Sequence, residues 1–274
     1  MSLRALAVAL LVVGAPVAPR ATVRQPKKVL LRIRPRLGDT LHTRFDQLVQ
    51  SAGPAPHVEA VTARSNAMHV LSRSIVERVD DAGVVVLTVT DSATFDAPGT
   101  DPRKLDAARR AMRGRWARLR VSPAGAMEML EGQRGGGPDA DAITRLPGTL
   151  PESPVAVGES WMREMALPWG GGTSPFSEGG HVQVVFRLDS LVAGALAYVS
   201  MHGALNRAGV APGGSRVTNG GTMTGHLLVD LKRGWMTDSR ATFVMSTTWL
   251  PGPGAKAKPM QLRVTITQSL HCND

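Results

Sequence analysis

The chain has 274 residues, 43% hydrophobic and 20% charged, ordinary globular values that exclude disorder of the whole molecule. Its net charge of +10 invites a nucleic-acid reading, but lysine is scarce, and an arginine excess among Ala, Gly and Val is what a GC-rich coding sequence yields without selection for phosphate contact. Stacking platforms need exposed aromatic residues interleaved with basic ones, and the arginine-rich stretch 103–120 offers only Trp116, so no specific nucleic-acid binding is expected.

Residues 1–22 read as a signal peptide, with Arg4, an apolar run from Leu6 to Val13 and a small-residue and proline segment to Thr22. The run is too short for a stable bilayer span, so no transmembrane anchor is expected after cleavage. The expected location is periplasmic or secreted. No cysteine follows the run to carry a lipid, and Cys272 is expected as a free thiol on a frayed tail.

Two related halves are expected, an N-terminal β half with a helix at 30–131 and a C-terminal antiparallel β half at 158–270, joined by a Gly/Pro-rich linker at 132–157. Leu37-Gly38-Asp39-Thr40 opens the first and Val157-Gly158-Glu159-Ser160-Trp161 the second, and turns at 121–127 and 229–236 are similar in wording. A long hairpin joins Met68–Val79 to Val84–Phe95 through Asp80-Asp81-Ala82-Gly83. One main helix is predicted at 101–113. Asp101 caps it, Pro102 fits its first turn, Leu105, Ala108 and Met112 form a stripe, Asp106 pairs with Arg110, and Gly114 ends it. Its stripe is expected to cover the concave side of the sheet. Asp141–Leu146 is read as a short helical turn.

The second half alternates with a period of two. Val182, Val184, Phe186 and Leu188 form one such strand, and Met260, Leu262, Val264 and Ile266 another. Between them, Leu227, Val229 and Leu231 lead through a turn at Gly234 to Trp235, Phe243, Met245 and Trp249, read as sharing one face. The fold class is therefore mainly β, with antiparallel curved sheets or an open barrel.

Chemistry-bearing motifs are weak. The seven histidines have no ligand spacing and read as solvent-facing strand residues, so no metal is expected. Ser160 lacks the second glycine of a nucleophile elbow, Asp139 and Asp141 lack the other carboxylates of a calcium loop, and the triple glycines at 135–137 and 170–172 lack the Lys-Ser/Thr of a phosphate loop. No catalytic residue and no cofactor is expected. The stronger lead is an apolar wall for a hydrophobic small molecule or lipid, made by Trp235, Phe243, Met245, Trp249, Val264 and Ile266, with Met223, Met236 and Met260 as adaptable neighbours.

Arg34-Pro35-Arg36-Leu37-Gly38-Asp39-Thr40, the stretch from Leu150 to Trp161 (LPESPVAVGESW) and the hairpin Gly225–Thr248 together resemble an uncharacterised family of exported bacterial β-rich proteins. At the level of fold, a curved open sheet with a helix is similar to periplasmic lipoprotein carriers. The resemblance implies an envelope location and no established activity. It leaves two expectations open: a non-enzymatic carrier of a hydrophobic or amphiphilic ligand, or an envelope structural protein binding an anionic polymer or a protein partner through a basic face.

Overall fold

The computed structural model describes residues 27–55, 58–133, 145–146, 148–166, 181–210, 214–254 and 258–273. The signal segment, Asp139, Asp141 and both triple-glycine runs lie outside these residues. Within them the chain forms β1 (Thr40–Ala55), β2 (Val58–Asp80), β3 (Gly83–Asp96), α1 (Pro102–Met112), β4 (Trp116–Val121), β5 (Met127–Gly132), β6 (Arg145–Leu146), β7 (Ser160–Ala166), β8 (His181–Val192), β9 (Leu196–Val210), β10 (Arg216–Asp230), β11 (Trp235–Leu250) and β12 (Met260–Asn273). Arg145 and Leu146 are thus extended and pair with Glu128 and Met127, where a helical turn was expected.

All strand pairs are antiparallel, in the order β6-β5-β4-β3-β2-β1-β12-β11-β10-β9-β8-β7. Each half is a six-stranded meander, and the halves join where β1 pairs with β12 from His42↔Asn273 to Ala52↔Arg263. The repeat extends to individual hydrogen bonds. Gly38 N–H donates to Val76 O (2.9 Å) and Val76 N–H to Asp39 O (2.9 Å), while Gly158 N–H donates to Leu188 O (2.7 Å) and Leu188 N–H to Glu159 O (3.1 Å). Both glycines have positive φ, +85° and +91°. The acid after each folds back on the chain: Arg36 N–H donates to Asp39 Oδ2 (2.8 Å), and Ala156 N–H to Glu159 Oε2 (3.0 Å). Register shifts that leave Glu77 and Asp189 unpaired follow Val76 and Leu188, so both second strands bulge at the same place.

The sheet is strongly curled without closing. Ile33 N–H donates to Pro123 O (2.9 Å) in the β4–β5 turn, and the next residue, Arg34, donates to Gly234 O (2.6 Å) in the β10–β11 turn. In a flat sheet β4 and β11 would lie about 24 Å apart at ~4.8 Å per strand, so consecutive residues can reach both turns only if the sheet curves. Among the described residues the edge strands β6 and β7 are not paired with each other. At this end a strap links the two sides of the seam: Trp161 Nε1 on β7 donates to Thr149 O (2.8 Å), and Leu150 N–H donates to Ala124 O in the β4–β5 turn (3.0 Å).

The same end holds the densest packing. Leu31, Leu150, Val184, Phe186, Leu188, Val199, Val229 and Val76 are at most 2% exposed and belong to one cluster with Ile33, Val86, Val121 and Val155. Two lead segments, paired at Val29↔Val155, therefore plug this end. The helix does not. α1 has no buried residue and packs chiefly on β3, so the expectation that it covers the concave face is corrected; five of its eleven residues are charged, and leads supplying Leu31 and Leu150 exclude more water. Asp101 caps it as expected, accepting from Arg103 N–H (2.9 Å), but Asp106 pairs with Arg109 rather than Arg110. Cys272 also departs from expectation. It lies in β12, 6% exposed, within hydrogen-bonding distance of Thr43 Oγ1 (3.5 Å), and burial pushes its thiol pKa up despite bonds from Thr43 and Trp235.

Candidate functional site: the inner wall and its open rim

Strand alternation and register place Phe243 opposite Ile266 and Met245 opposite Val264, followed toward the β11–β12 connection by Thr247 opposite Leu262 and Trp249 opposite Met260. Exposure rises along this line: Ile266 is 7% exposed, Val264 half-buried, Leu262 43% and Met260 47%. On β11 it rises from Phe243 at 8% to half-buried Met245 and Trp249. Among the described residues the wall is thus packed at the plugged end and exposed at the other. Opposite it on β10, Gly221 has no room for a side chain: a Cβ there would lie 2.7 Å from Val244 O.

Five of the six predicted wall residues share this face. Trp235 stands apart from them at the plugged end, where the register shift between Leu228 and Val229 leaves Thr237 unpaired and interrupts the alternation assumed between residues 235 and 243. Its side chain bonds Cys272 instead and packs against the core. Leu262 belongs to the wall although its importance was missed; the alternation from Met260 to Ile266 carried the signal. A few polar groups punctuate the surface. Thr247 Oγ1 donates to Asn219 Oδ1 (2.7 Å), and Gln47 stands opposite Gln268, a pattern suited to orienting an otherwise apolar guest.

The space directly against Val182, Leu205, Met223, Phe243 and Met245 amounts to only about 10 Å³, room for about one water. The wall offers an open surface rather than a sealed cavity. A larger concavity of about 310 Å³ lies at the rim across β2, β1 and β12, lined by Gln50, Ser51, Arg64, Ser65, Arg263 and Thr265 among others. Another of about 330 Å³ separates Arg32 and Arg34 from Asp80 and Asp81 at the plugged end.

Three of the histidines on described strands lie against acids. His69 Nδ1 lies 2.6 Å from Asp46 Oδ1, and Asp238 lies between His271 (3.2 Å) and His226 (3.6 Å), the latter stacked on Tyr198. Burial acts to raise the Asp46 carboxyl, but bonds from His69 and Arg44 bring it below its ordinary value. No group of three His, Cys, Asp or Glu suited to a metal exists among the described residues. Ser160 opens β7 opposite Arg187. No described helix is long and apolar enough to cross a membrane. No family model and no curated protein sequence matches the chain.

Proposed function

We propose that this protein is an exported, non-enzymatic carrier that holds a hydrophobic or amphiphilic molecule against the inner face of β11 and β12. The observation that carries this reading is the gradient along one apolar wall, from Ile266 at 7% exposure to Leu262 and Met260 at 43% and 47%. Exposed apolar surface continuous with a core marks a binding surface. Phe243, Met245, Trp249, Leu262 and Val264 contact the guest, and Met245 and Met260 adapt to its shape. The seam between β6 and β7, unpaired among the described residues, leaves the curled sheet freedom to widen. The N-terminal apolar run supports export to the periplasm or medium.

Native mass spectrometry of protein purified from a bacterial envelope, before and after organic extraction, tests the reading. An extractable adduct of lipid-like mass that diminishes in a Trp249→Ala, Leu262→Ser variant is the expected result. A clean apo mass, together with no displacement of an apolar fluorescent probe by added fatty acid or phospholipid, overturns it.

A further inference from the structure

The open end differs from the plugged end in charge as well as in packing. Residues 190–229 and 239–273 contain no Asp or Glu. These stretches supply β9, β12, all of β10 but Asp230 and twelve of the sixteen residues of β11, so cations at their open ends have no acid nearby on their own strands. Arg216 and Arg263 are exposed there, and Arg64 joins them from β2 across β1, where Ser51 pairs with Arg64 and Ala52 with Arg263. Among the described residues none of the three has an acidic partner. The acids of the C-terminal half that pair with cations, such as Glu159 with Lys28 and Asp189 with Arg187, stand toward the plugged end. On the N-terminal side, α1 follows the end of β3 and carries exposed Arg103, Lys104, Arg110 and Arg113 against Asp101 and Asp106.

Arg64 and Arg263 both line the 310 Å³ rim concavity, together with the hydroxyl-bearing Ser51, Ser65 and Thr265. Immediately beside Arg263, Leu262 and Met260 are half exposed, and Leu250 is 40% exposed next to Trp249. We infer that this rim docks on an anionic phospholipid bilayer, with headgroup phosphates in the Arg64–Arg263 concavity and Trp249, Leu250, Met260 and Leu262 entering the interfacial layer. Charge complementarity selects this occupant: cations with no acidic partner among the described residues gain from a negative surface, while the neighbouring apolar tip gains only where hydrocarbon is within reach. A tryptophan beside arginines suits that boundary. The inference deepens the carrier reading by naming the surface from which the guest is exchanged, and it rests on that reading for its purpose but not for its test.

The test is flotation of the mature protein with large unilamellar vesicles of phosphatidylcholine alone or mixed with phosphatidylglycerol, and with a third set carrying brominated acyl chains. Binding is expected on the anionic vesicles, weakening as salt rises. Arg64→Glu with Arg263→Glu is expected to lower the affinity by about tenfold or more, with unchanged circular dichroism and thermal midpoint. Brominated lipid is expected to quench fluorescence in the wild type and much less in Trp249→Phe. Unchanged binding by the double charge reversal overturns the inference. So does binding that soluble polyphosphate fully competes and that Trp249→Phe and bromine quenching show to be remote from the acyl chains, since the rim is then a site for anionic polymer alone. Flotation without a native lipid adduct removes the carrier reading and leaves docking standing; an adduct without flotation does the reverse.

Discussion

Replacing Leu31 and Leu262 separately by alanine tests the polarity of this fold. Leu31 is 0% exposed, held between two hairpin turns by the bonds of its neighbours Ile33 and Arg34, and belongs to the main core cluster. Truncating a fully buried leucine removes its transfer free energy and leaves a cavity, together about 2–5 kcal/mol. Because the Leu31 segment is bonded to both halves, little collapse is available, and we place its cost at about 3–4 kcal/mol. Leu262, already 43% exposed, has water on one side, leaves no closed void, and costs about 1 kcal/mol or less. Urea unfolding followed by circular dichroism reads both as shifts of the midpoint at constant slope. Ligand or vesicle binding is expected to respond in the opposite order, weakened by Leu262→Ala and retained by Leu31→Ala below its midpoint. If Leu31→Ala costs under about 1 kcal/mol, or if the two variants cost the same, the plugged end is not the structural core and the argument for an open rim fails with it.

The repeat makes its own prediction: Gly38→Ala and Gly158→Ala put a side chain at φ of +85° and +91° with no atom nearer than 3.9 Å, so each is expected to cost about 1–2 kcal/mol of backbone strain alone, matching within ~0.5 kcal/mol by thermal or urea denaturation. Gly234→Ala is expected to cost more, because its Cβ would overlap the Arg34 carbonyl, and limited proteolysis should then cut near residues 30–36 sooner than in the wild type. The backbone N–H of Ala156, with Lys28 beside it, holds the Glu159 carboxyl below its ordinary value. A depressed carboxylate pKa stabilises the native state above the unfolded-state pKa of about 4.3, and that stabilisation is lost as pH falls through the folded-state pKa, so Glu159→Gln should flatten that part of the acid limb. Cys272 should react with a disulfide reagent only as fast as the protein opens, because its sulfur is buried and its thiolate disfavoured; fast stoichiometric labelling of native protein would contradict its place in β12.

The architecture was legible where one face of a strand is buried, since alternation there reports the face directly. Val182 to Leu188 and the repeated Gly-acid-hydroxyl openings at 38–40 and 158–160 are examples, and the helix with its Asp101 cap was legible from local chemistry. What escaped was register. Trp235 was assigned to the wall because Trp235, Phe243 and Trp249 have the same parity, and no local residue announces the bulge at Thr237. Arg64 escaped for the same reason, because the concavity it lines with Arg263 depends on both flanking strands pairing with β1. The helix reads as the cover because the two leads bear prolines, Pro35 in one and Pro151 and Pro154 in the other, and read as connections, although Leu31 and Leu150 are among the most buried side chains.

The arrangement of two six-stranded meanders explains why one end is sealed and one seam is left open among the described residues. In two tandem meanders, two junctions are available, β12 with β1 and β6 with β7. The first is a full ladder from His42 to Ala52. The second does not form among the described residues, where no ladder joins β6 to β7. A curled sheet lacking its last junction would expose the core along the whole seam unless something else excluded water there. The chain supplies that where it is cheapest, with the segments that must in any case precede β1 and β7: Leu31 and Leu150 enter the core, and Trp161 stacks on Phe186 (5.8 Å) while its indole holds the strap. These leads start at the ends of β1 and β7 that lie beside the β4–β5 and β10–β11 turns, so they seal that end and cannot reach the other. Among the described residues the apolar wall at 260–264 is therefore left uncovered by the same topology that packs Leu31, and on the reading proposed above a ligand or a membrane surface that covers it completes the burial the two meanders leave unfinished.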